Sequence, residues 1–393
     1  MEKYVSLNLF AIRTIGVWSP DESSSSRLRL AALSRLVTLA STLFIFLPAA
    51  LKVEGHVEES RDVSTGVEIL ALMISSFIVF GKTVNMALNR DRISTLLERM
   101  SGFWKCSTSR EIRAMAGYAE FGRSVTRAYF VLGVSSIASF VGQPLVNAYI
   151  ANATDSVRLP FDGWENVLGT ESPVLFALVY AVHVFAGAAA SLASIGHDCL
   201  FVVLILHVCA NLKGVAVTLR HLRASQGRRV DQRIVECAKK FQSLTEYTES
   251  LEGLLSLFLL AQTLSSTFVI CLTSFLLNRE IKSNNELVKY VAYWSTSLFQ
   301  LLVFCWAGNC LQTEAQEVGR SAYEAYGELI GGHFVKESAK APRHLQMIII
   351  RAQNPVGITA GKFYLMSLEN YKNILGSSYS YFTILRAFAD KTI

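Results

Sequence analysis

Charged residues are scarce in this chain. Only 17% of its 393 residues are Asp, Glu, Lys or Arg, whereas 51% are hydrophobic, and the mean hydropathy is +0.35. Soluble domains carry about 25% charged residues. The composition therefore excludes a disordered chain, a collagen-like fibre and most water-soluble enzymes, and a polytopic membrane protein is expected.

The motifs of common enzymes and cofactor sites are also missing. The chain has no nucleotide-binding loop and no H-E-x-x-H, C-x-x-C or G-x-S-x-G sequence. Its Lys and Arg residues do not form a nucleic-acid footprint. We therefore expect no catalytic residue, no metal or other cofactor and no nucleic-acid partner. His183 is the one candidate for a proton relay inside a membrane segment, and a neutral histidine in helix packing or in a pocket is the favoured interpretation.

Seven apolar stretches are candidate membrane spans, since a transmembrane helix needs about 20 apolar residues. Four contain no charged residue, and a fifth lies between Arg35 and Lys52, whose side chains can reach the interface. The two shortest require that their charged ends, such as Glu68 and Lys82 around the second span, reach the headgroups. In chain order the spans are Leu36–Leu51, Ile69–Gly81, Ala128–Ile150, Ser172–His197, Gly253–Asn278, Tyr290–Thr313 and Asn373–Leu385.

Basic residues are distributed unequally between alternate loops. The N-terminal segment and the loops on its side hold 25 Lys and Arg, and the loops on the other side hold six. Because Lys and Arg favour the cytoplasmic side, we expect the N-terminus in the cytoplasm and the C-terminus outside. No cleavable signal peptide is apparent, so the first span is expected to be the targeting signal.

Two further features agree with this orientation. The sequon at Asn152 falls in a loop predicted to be outside, where it is a candidate glycosylation site. All seven cysteines fall in spans or in predicted cytoplasmic segments. No extracellular disulfide is therefore expected.

Segments outside the spans have the pattern of packed helices. The chain stays apolar over Cys199–Leu212 and then becomes basic and amphipathic, which predicts that span 4 continues well beyond the membrane. Leu345–Ile350 is too short to span and is predicted to pack in the same cytoplasmic bundle, before Asn354-Pro355 breaks the chain. Helical spacing that leads into span 5 is seen at Phe241, Leu244, Tyr247 and Leu251.

Three short sequences near the C-terminus are distinctive: Arg351–Val356 (RAQNPV), Thr359–Tyr364 (TAGKFY) and Ser378–Arg386 (SYSYFTILR). They closely resemble the signature of insect odorant receptors. His197–Phe201 (HDCLF), with the later His207, resembles the family's pattern at the end of span 4. The resemblance extends over the whole chain in length and topology.

This resemblance implies an all-α, ligand-gated, non-selective cation channel that forms a tetramer. Residues 1–34 would be a cytoplasmic segment, and residues 35–340 would hold helices 1–6 and the odorant pocket. Residues 341–393 would form helix 7, split into an anchor half and a pore half. The loop between spans 4 and 5 is shorter than in the family's co-receptor, so the chain resembles the ligand-tuning subunit. It is expected to assemble with the co-receptor in the lipid membrane of a sensory neuron dendrite.

The resemblance also implies a pocket for a volatile odorant in the outer half of the membrane, between helices 2, 3, 4 and 6. Such a ligand needs an apolar, aromatic-rich cavity with few polar groups. For each candidate taken singly, helix packing or anchoring at the interface is the alternative. The candidates are Met73, Ser76, Phe77, Ser136, Ser139, Phe140, Tyr180, Val184 and, as the strongest group, Tyr290, Tyr293 and Trp294.

Alignment of Tyr381-Phe382 with the family's Tyr-Phe places Ile384 at the gate, where an apolar constriction can close by dewetting. An ordinary residue that faces lipid or another helix is the alternative for Ile384. Arg386 in a pore for permeating cations would be unfavourable, so either other subunits supply the polar ring or Arg386 points away. The pore and gate candidates are Ser380, Thr383, Ile384 and Ala387.

A gustatory-type receptor and a secondary transporter are the alternatives to an odorant-gated channel. A gustatory-type receptor of the same superfamily, forming a homotetramer, would more often end in Thr-Tyr-hydrophobic-hydrophobic-Gln-Phe, which is missing here. A secondary transporter should show inverted repeats and a discontinuous site at the midplane, and the sequence shows neither.

Overall fold

The computed structural model describes residues 29, 32–46, 63–105, 107–150, 157–161, 172–222, 228–283, 286–330, 341–354 and 356–391. The predictions for the first 28 residues, for Asn152, for Cys106 and for Pro355 lie outside these residues.

The described residues are almost entirely α-helical, as predicted. Five of the helices, α2 and α4–α7, are long and apolar enough to cross a membrane, and α1 is a shorter apolar helix. In chain order the elements are α1 (Ala32–Phe46), α2 (Val63–Leu88), α3 (Arg90–Lys105), α4 (Ser109–Ile150), α5 (Pro173–Arg220), α6 (Arg228–Ser283), α7 (Leu287–Ile330), α8 (Ala341–Gln353), β1 (Thr359–Ala360), β2 (Tyr364–Leu365) and α9 (Leu368–Lys391). The count of seven spans and the orientation of the termini stay predictions.

Two of these helices are much longer than a membrane is thick. Helix α5 has 48 residues and α6 has 56. At 1.5 Å per residue they extend about 72 and 84 Å, against about 30 Å for the hydrocarbon layer. The helix of predicted span 4 continues without a break past Leu212 to Arg220, and where it leaves the membrane stays a prediction.

Helix α5 is the central element of the bundle. It packs mainly against α4 and α7, and its residues from Ala193 onward are buried on nearly every side. The predicted stripe on α6 is in the core, with Phe241, Leu244, Tyr247 and Leu251 all at most 1% exposed. Helix α8 packs on α6 and α7 through the buried Leu345 and Ile348, as predicted for this apolar run.

A β-hairpin separates α8 from α9. Its turn places Gly361 and Lys362 at φ values of 60° and 63°, a left-handed conformation that suits glycine. The Gly361 amide donates a hydrogen bond to the Ser256 carbonyl at 2.8 Å, and the Tyr364 hydroxyl lies 2.6 Å from Thr263 Oγ1. The sequence TAGKFY therefore folds back onto α6 and fixes where α9 begins.

The structure corrects one prediction about the second span. Lys82 does not reach a headgroup region but is buried inside the bundle at 1% exposure. Helix α2 continues past it to Leu88, and the Asp198 carboxylate on α5 lies 2.7 Å from its ammonium group. The carboxylate of Asp198 therefore stabilises this buried ammonium group, in place of the water and headgroups of the membrane interface.

Candidate functional site

A cavity of about 170 Å³ lies between α2, α4, α5, α6 and α7. Ile45 of α1 and Phe161 of segment 157–161 complete its wall. The resemblance implied a pocket between helices 2, 3, 4 and 6, which are α2, α4, α5 and α7 of the structure. The structure adds α6, the predicted span 5, as a further wall of this cavity.

Small residues on α5 make room for the cavity. Gly187, Ala190, Ser191 and Ser194 follow the i, i+3, i+4, i+7 spacing and line one side of it. The glycines also set how closely α4 and α5 approach. A Cβ atom at Gly187 would lie 2.5 Å from the Ile137 Cδ1 atom, and one at Gly133 would lie 2.5 Å from that of Ile195.

Segment 157–161 closes one side of the cavity with the ring of Phe161. This ring is buried and lies 6.2 Å from the ring of Phe140, centroid to centroid. The Phe161 amide donates a hydrogen bond to His183 Nδ1 at 3.2 Å, and the His183 ring packs edge-on against Phe44. His183 thus ties the segment to α5, in agreement with the packing or pocket role favoured by the sequence.

One end of the cavity is a buried ion pair. The ammonium group of Lys82 donates to both carboxylate oxygens of Asp198, at 2.7 and 2.9 Å. The Tyr129 hydroxyl and the Gln300 amide donate to Oδ2 of the same carboxylate at 2.8 and 2.5 Å. Since the side chains of this network come from α2, α4, α5 and α7, the ion pair joins four helices at the wall of the cavity.

A second ionic cluster lies near the start of α2 and of α7. Lys289 Nζ lies 2.8 Å from a Glu68 oxygen and 2.5 Å from a Glu286 oxygen. The Tyr290 hydroxyl is 2.5 Å from the other Glu68 oxygen. The Lys289 ammonium group also lies 5.3 Å from the centre of the Phe140 ring, which lines the cavity. The cavity therefore lies between the Lys82–Asp198 ion pair and a cluster of one cation and two carboxylates.

The structure brings four of the predicted pocket residues together around the cavity: Ser76, Ser136, Phe140 and Tyr293. Tyr293 is held in place by Ser75, whose hydroxyl lies 2.5 Å from the tyrosine hydroxyl. The centres of the Tyr293 and Phe140 rings lie 5.5 Å apart in an edge-to-face arrangement. These residues stay candidates for ligand contact.

The other predicted pocket residues lie elsewhere. Tyr290 belongs to the ionic cluster, and Trp294 donates to Ser274 Oγ at 3.1 Å, between α7 and α6. The Tyr180 hydroxyl donates to the Val141 carbonyl. The side chains that are exposed or half-buried away from the cavity lining are Met73, Phe77, Ser139 and Val184.

The sequence reasoning missed the polar lining because it selected aromatic residues. On α6 the cavity contacts Gln262, Ser265 and Ser266, and on α7 it contacts Thr296, Ser297 and Gln300. Both sets follow helical spacing inside spans that contain no charged residue. A stripe of polar side chains within an otherwise apolar span was the signal that could have identified these walls.

The predicted pore residues all lie on the exposed side of α9. Ser380, Thr383, Ile384 and Ala387 follow the i, i+3, i+4, i+7 spacing, so they share one helix face. The opposite face, with Phe382, Leu385 and Ala389, packs in a cluster with residues of α2, α6 and α7. Arg386 is also exposed.

No group of three or more His, Cys, Asp or Glu side chains in the described part of the chain is placed to hold a metal ion. The six described cysteines are free thiols, five of them buried. The site that the structure offers is thus a cavity with polar and aromatic walls.

The family model described as "7tm Odorant receptor" matches residues 63–379, which include all five long apolar helices and the first half of α9. The chain belongs to the insect odorant receptor family. Members of this family are receptors, not enzymes, and the five apolar helices agree with a place in the cell membrane. Family membership favours the odorant-receptor interpretation over the gustatory and transporter alternatives.

Curated relatives come from several insects. Odorant receptor 13a of Drosophila melanogaster is 24% identical over 78% of this chain and 76% of its own length. Odorant receptor 10 of Aedes albopictus is 29% identical, over 41% of each chain. Odorant receptor Or2 of Anopheles gambiae is 30% identical over 38% of each chain. For two of these three relatives, the match covers less than half of the relative's length.

The fold of this odorant receptor is that of a solved relative. The insect olfactory receptor OR5 from Machilis hrabei, in complex with eugenol, superposes with a TM-score of 0.82 over 98% of both chains at 12% identity. A second structure of the same receptor gives a TM-score of 0.77 at 15% identity. At these identities the likeness concerns the fold alone.

Proposed function

We propose that the chain is the ligand-tuning subunit of an odorant-gated, non-selective cation channel. The observation that carries this proposal is the cavity inside the helix bundle of an odorant receptor family member. It is walled by five helices, has aromatic rings on one side, and is large enough for a small volatile molecule. Enclosed, mostly apolar cavities with a few polar groups are the usual sites for small ligands.

Contacts within the bundle offer a route from the cavity to the channel. The cavity contacts α2, α6 and α7 directly. Further along these helices, Val67, Leu272 and Tyr290 form one cluster with Phe382 and Leu385 of α9. A ligand that binds more tightly to one arrangement of the helices shifts the position of α9 by favouring that arrangement.

The exposed face of α9 supplies the pore lining in this proposal. The hydroxyl of Ser380 is bonded to the Gly376 carbonyl at 3.0 Å and that of Thr383 to the Ser380 carbonyl at 2.8 Å. Because both hydroxyl groups already donate to backbone carbonyls, Ser380 and Thr383 can lie on a helix face that water does not hydrate. Ile384 on the same face is then the apolar constriction that closes the pore by dewetting.

The partner in this proposal is the family's co-receptor, in a heterotetramer surrounded by lipid. Helices α5 and α6 are connected by residues 221–227, without the longer loop that the resemblance attributes to the co-receptor. The N-terminus is cytoplasmic, the C-terminus is outside and Asn152 is a glycosylation site in this arrangement. The three segments 1–34, 35–340 and 341–393 keep their proposed roles, and the dendrite of a sensory neuron is the proposed location.

Filling the cavity tests the function. Ala190→Phe places a ring in the space that a ligand would occupy, because Ala190 lies on the cavity wall between small neighbours. Co-expressed with a co-receptor, the wild-type chain is expected to give cation currents in response to members of a volatile panel. The variant is expected to lose these responses while it still reaches the cell surface, as measured by patch clamp and surface labelling.

The matched control is Ala188→Phe, two residues away on the exposed side of the same helix. Its responses should equal those of the wild type. Equal responses from Ala190→Phe would place the ligand outside this cavity. Absence of current from the wild type across the panel, with normal surface expression, would refute the proposed function.

A smaller side chain at the proposed gate should make the channel leak. Ile384→Ala widens the apolar constriction, so water enters it more readily and basal current is expected to rise several-fold. The measurement is holding current without ligand, normalised to surface expression. Leu178→Ala is the control, because Leu178 is exposed on α5 and lies outside the cluster that joins α9 to the bundle. Unchanged leak in Ile384→Ala would contradict the gate assignment.

A further inference from the structure

Gln262 lies on the α6 wall of the cavity, and one atom of its side-chain amide has no hydrogen-bond partner among the described residues. Gln262, Ser265, Ser266 and Val269 form one face of the helix and line the cavity. Gln262 is only 3% exposed, and its amide nitrogen donates to Ser266 Oγ at 3.0 Å. Its Oε1 atom has no hydrogen-bond partner among the described residues. Buried amide oxygens are normally paired. Less than 1 Å² of this atom is exposed, so a donor bound in the cavity that Gln262 lines would reach it through a small rotation of the amide.

The charges at the cavity wall are already satisfied by each other. Lys82 donates to both oxygens of Asp198, and it also makes a long hydrogen bond of 3.4 Å to Ser194 Oγ and lies 5.5 Å from the centre of the Phe258 ring. A carboxylate ligand would be repelled by the Asp198 carboxylate, and an ammonium ligand would be repelled by the Lys82 ammonium group. Either ion would lose its hydration without gaining a free counter-ion, which is costly inside a protein. The cavity therefore suits a neutral ligand.

The volume is sufficient for a ligand with one ring. A cavity of about 150 Å³ is known to hold benzene, and this cavity measures about 170 Å³. The rings of Phe140, Phe161 and Tyr293 lie together on its wall, with Phe140 between the other two at centroid distances of 6.2 and 5.5 Å. Ring edges and faces in this arrangement favour an aromatic guest.

We propose that the cavity binds a small, neutral volatile alcohol or phenol, whose hydroxyl group donates a hydrogen bond to Gln262 Oε1. The inference rests on the proposed function and narrows its ligand class. The ring of the ligand lies against the aromatic wall, and the hydroxyl points to α6. The ion pair of Lys82 and Asp198 excludes acids and amines.

Three probes of matched size test this proposal: benzyl alcohol, which has the donor, and toluene and benzyl methyl ether, which lack it. In cells that also express a co-receptor, the wild-type chain should respond to benzyl alcohol at a lower half-maximal concentration than to the other two. Gln262→Leu, which keeps the volume and removes the acceptor, should raise the value for benzyl alcohol about 2- to 12-fold, the range of one neutral hydrogen bond. The values for toluene and the ether should stay the same or fall. Benzoate and benzylamine should be poor agonists.

Gln242→Leu is the matched control, because Gln242 is exposed on the same helix far from the cavity. If Gln262→Leu fails to reach the cell surface, Gln262→Met removes the same acceptor with an unbranched side chain. An equal shift for all three neutral probes would overturn the inference, as would a wild type that does not distinguish benzyl alcohol from toluene or that prefers the charged probes. In each of these cases the currents themselves still support the proposed function. Absence of current to every volatile in a wider panel, beside a working co-receptor control, refutes the proposed function and the inference with it.

Discussion

Asp198→Asn is expected to destabilise the protein by about 3–5 kcal/mol, the usual cost of leaving a buried charge without its partner. Lys82 is 1% exposed and Asp198 2%, so neither group can turn to water. The substitution preserves shape but removes the negative charge that compensates the ammonium group. The measurements are the thermal unfolding midpoint of the purified protein in detergent and the amount of protein at the cell surface, and both are expected to fall.

A double variant separates charge from shape in this experiment. Lys82→Met together with Asp198→Asn leaves no buried charge, and an oxygen at position 198 still accepts from Tyr129 and Gln300. Most of the stability should therefore return. Glu249→Gln is the control, since it breaks an exposed ion pair with Arg351 and should cost at most about 1 kcal/mol. A single Asp198→Asn variant as stable as this control, or a double variant no better than the single one, would contradict the role given to the ion pair.

Gly308→Val is expected to displace the β-hairpin that carries α9, at a cost of about 3 kcal/mol, the upper end for overpacked sites. A Cβ atom at Gly308 would lie 2.7 Å from Met366 Cβ and would also collide with the Met366 carbonyl oxygen. The same oxygen accepts a hydrogen bond from Gln312 at 3.0 Å, and the Met366 amide bonds to the Ile358 carbonyl at 2.9 Å. The obstacle is thus the backbone at the base of the hairpin, which cannot move away as a flexible side chain would.

Gly327→Val on the same helix controls for the change in helix propensity from glycine to valine. A Cβ atom at Gly327 meets no atom of the described residues within 4 Å, so this variant should unfold near the wild-type temperature and keep its ligand-evoked current. Gly308→Val should unfold at a lower temperature and lose current, because α9 begins directly after the hairpin at Leu368. Equal unfolding temperatures and currents for the two variants would show that the close approach at Gly308 is not needed.

Helix positions and packing faces were largely predictable because they depend on local pattern. The stripe Phe241, Leu244, Tyr247, Leu251 repeats every three or four residues, and a helix must bury such a stripe. The run Leu345–Ile350 was predicted to pack and not to span, and Leu345 and Ile348 are buried in α8. The family was recognised from short sequences whose structural role is visible in TAGKFY, the hairpin that docks on α6.

The cavity was predictable only in part, because its walls meet through packing between distant segments. Tyr293 and Phe140 were chosen for their rings and do line the cavity, but Trp294, the next residue along from Tyr293, turns to Ser274 on α6. Adjacent residues of a helix point about 100° apart, so neighbours in sequence such as Tyr293 and Trp294 contact different parts of the bundle. Gln262 was missed because the candidates were selected for aromatic rings, and the polar stripe that it forms with Ser265 and Ser266 was not considered.

By itself, the sequence determined that the chain is a helical membrane protein, where its long helices lie, and to which family it belongs. Composition and periodicity suffice for the class and the helices, because each apolar stretch must be buried in lipid or in a core. The family came from the resemblance of the short C-terminal sequences. Only the tertiary structure decided that Lys82 is paired with Asp198, 116 residues away, and that Gln262 lines a cavity and has one oxygen without a partner among the described residues. The cost of a buried polar group depends on what lies opposite, and that partner is set by helix packing, not by neighbours in the chain.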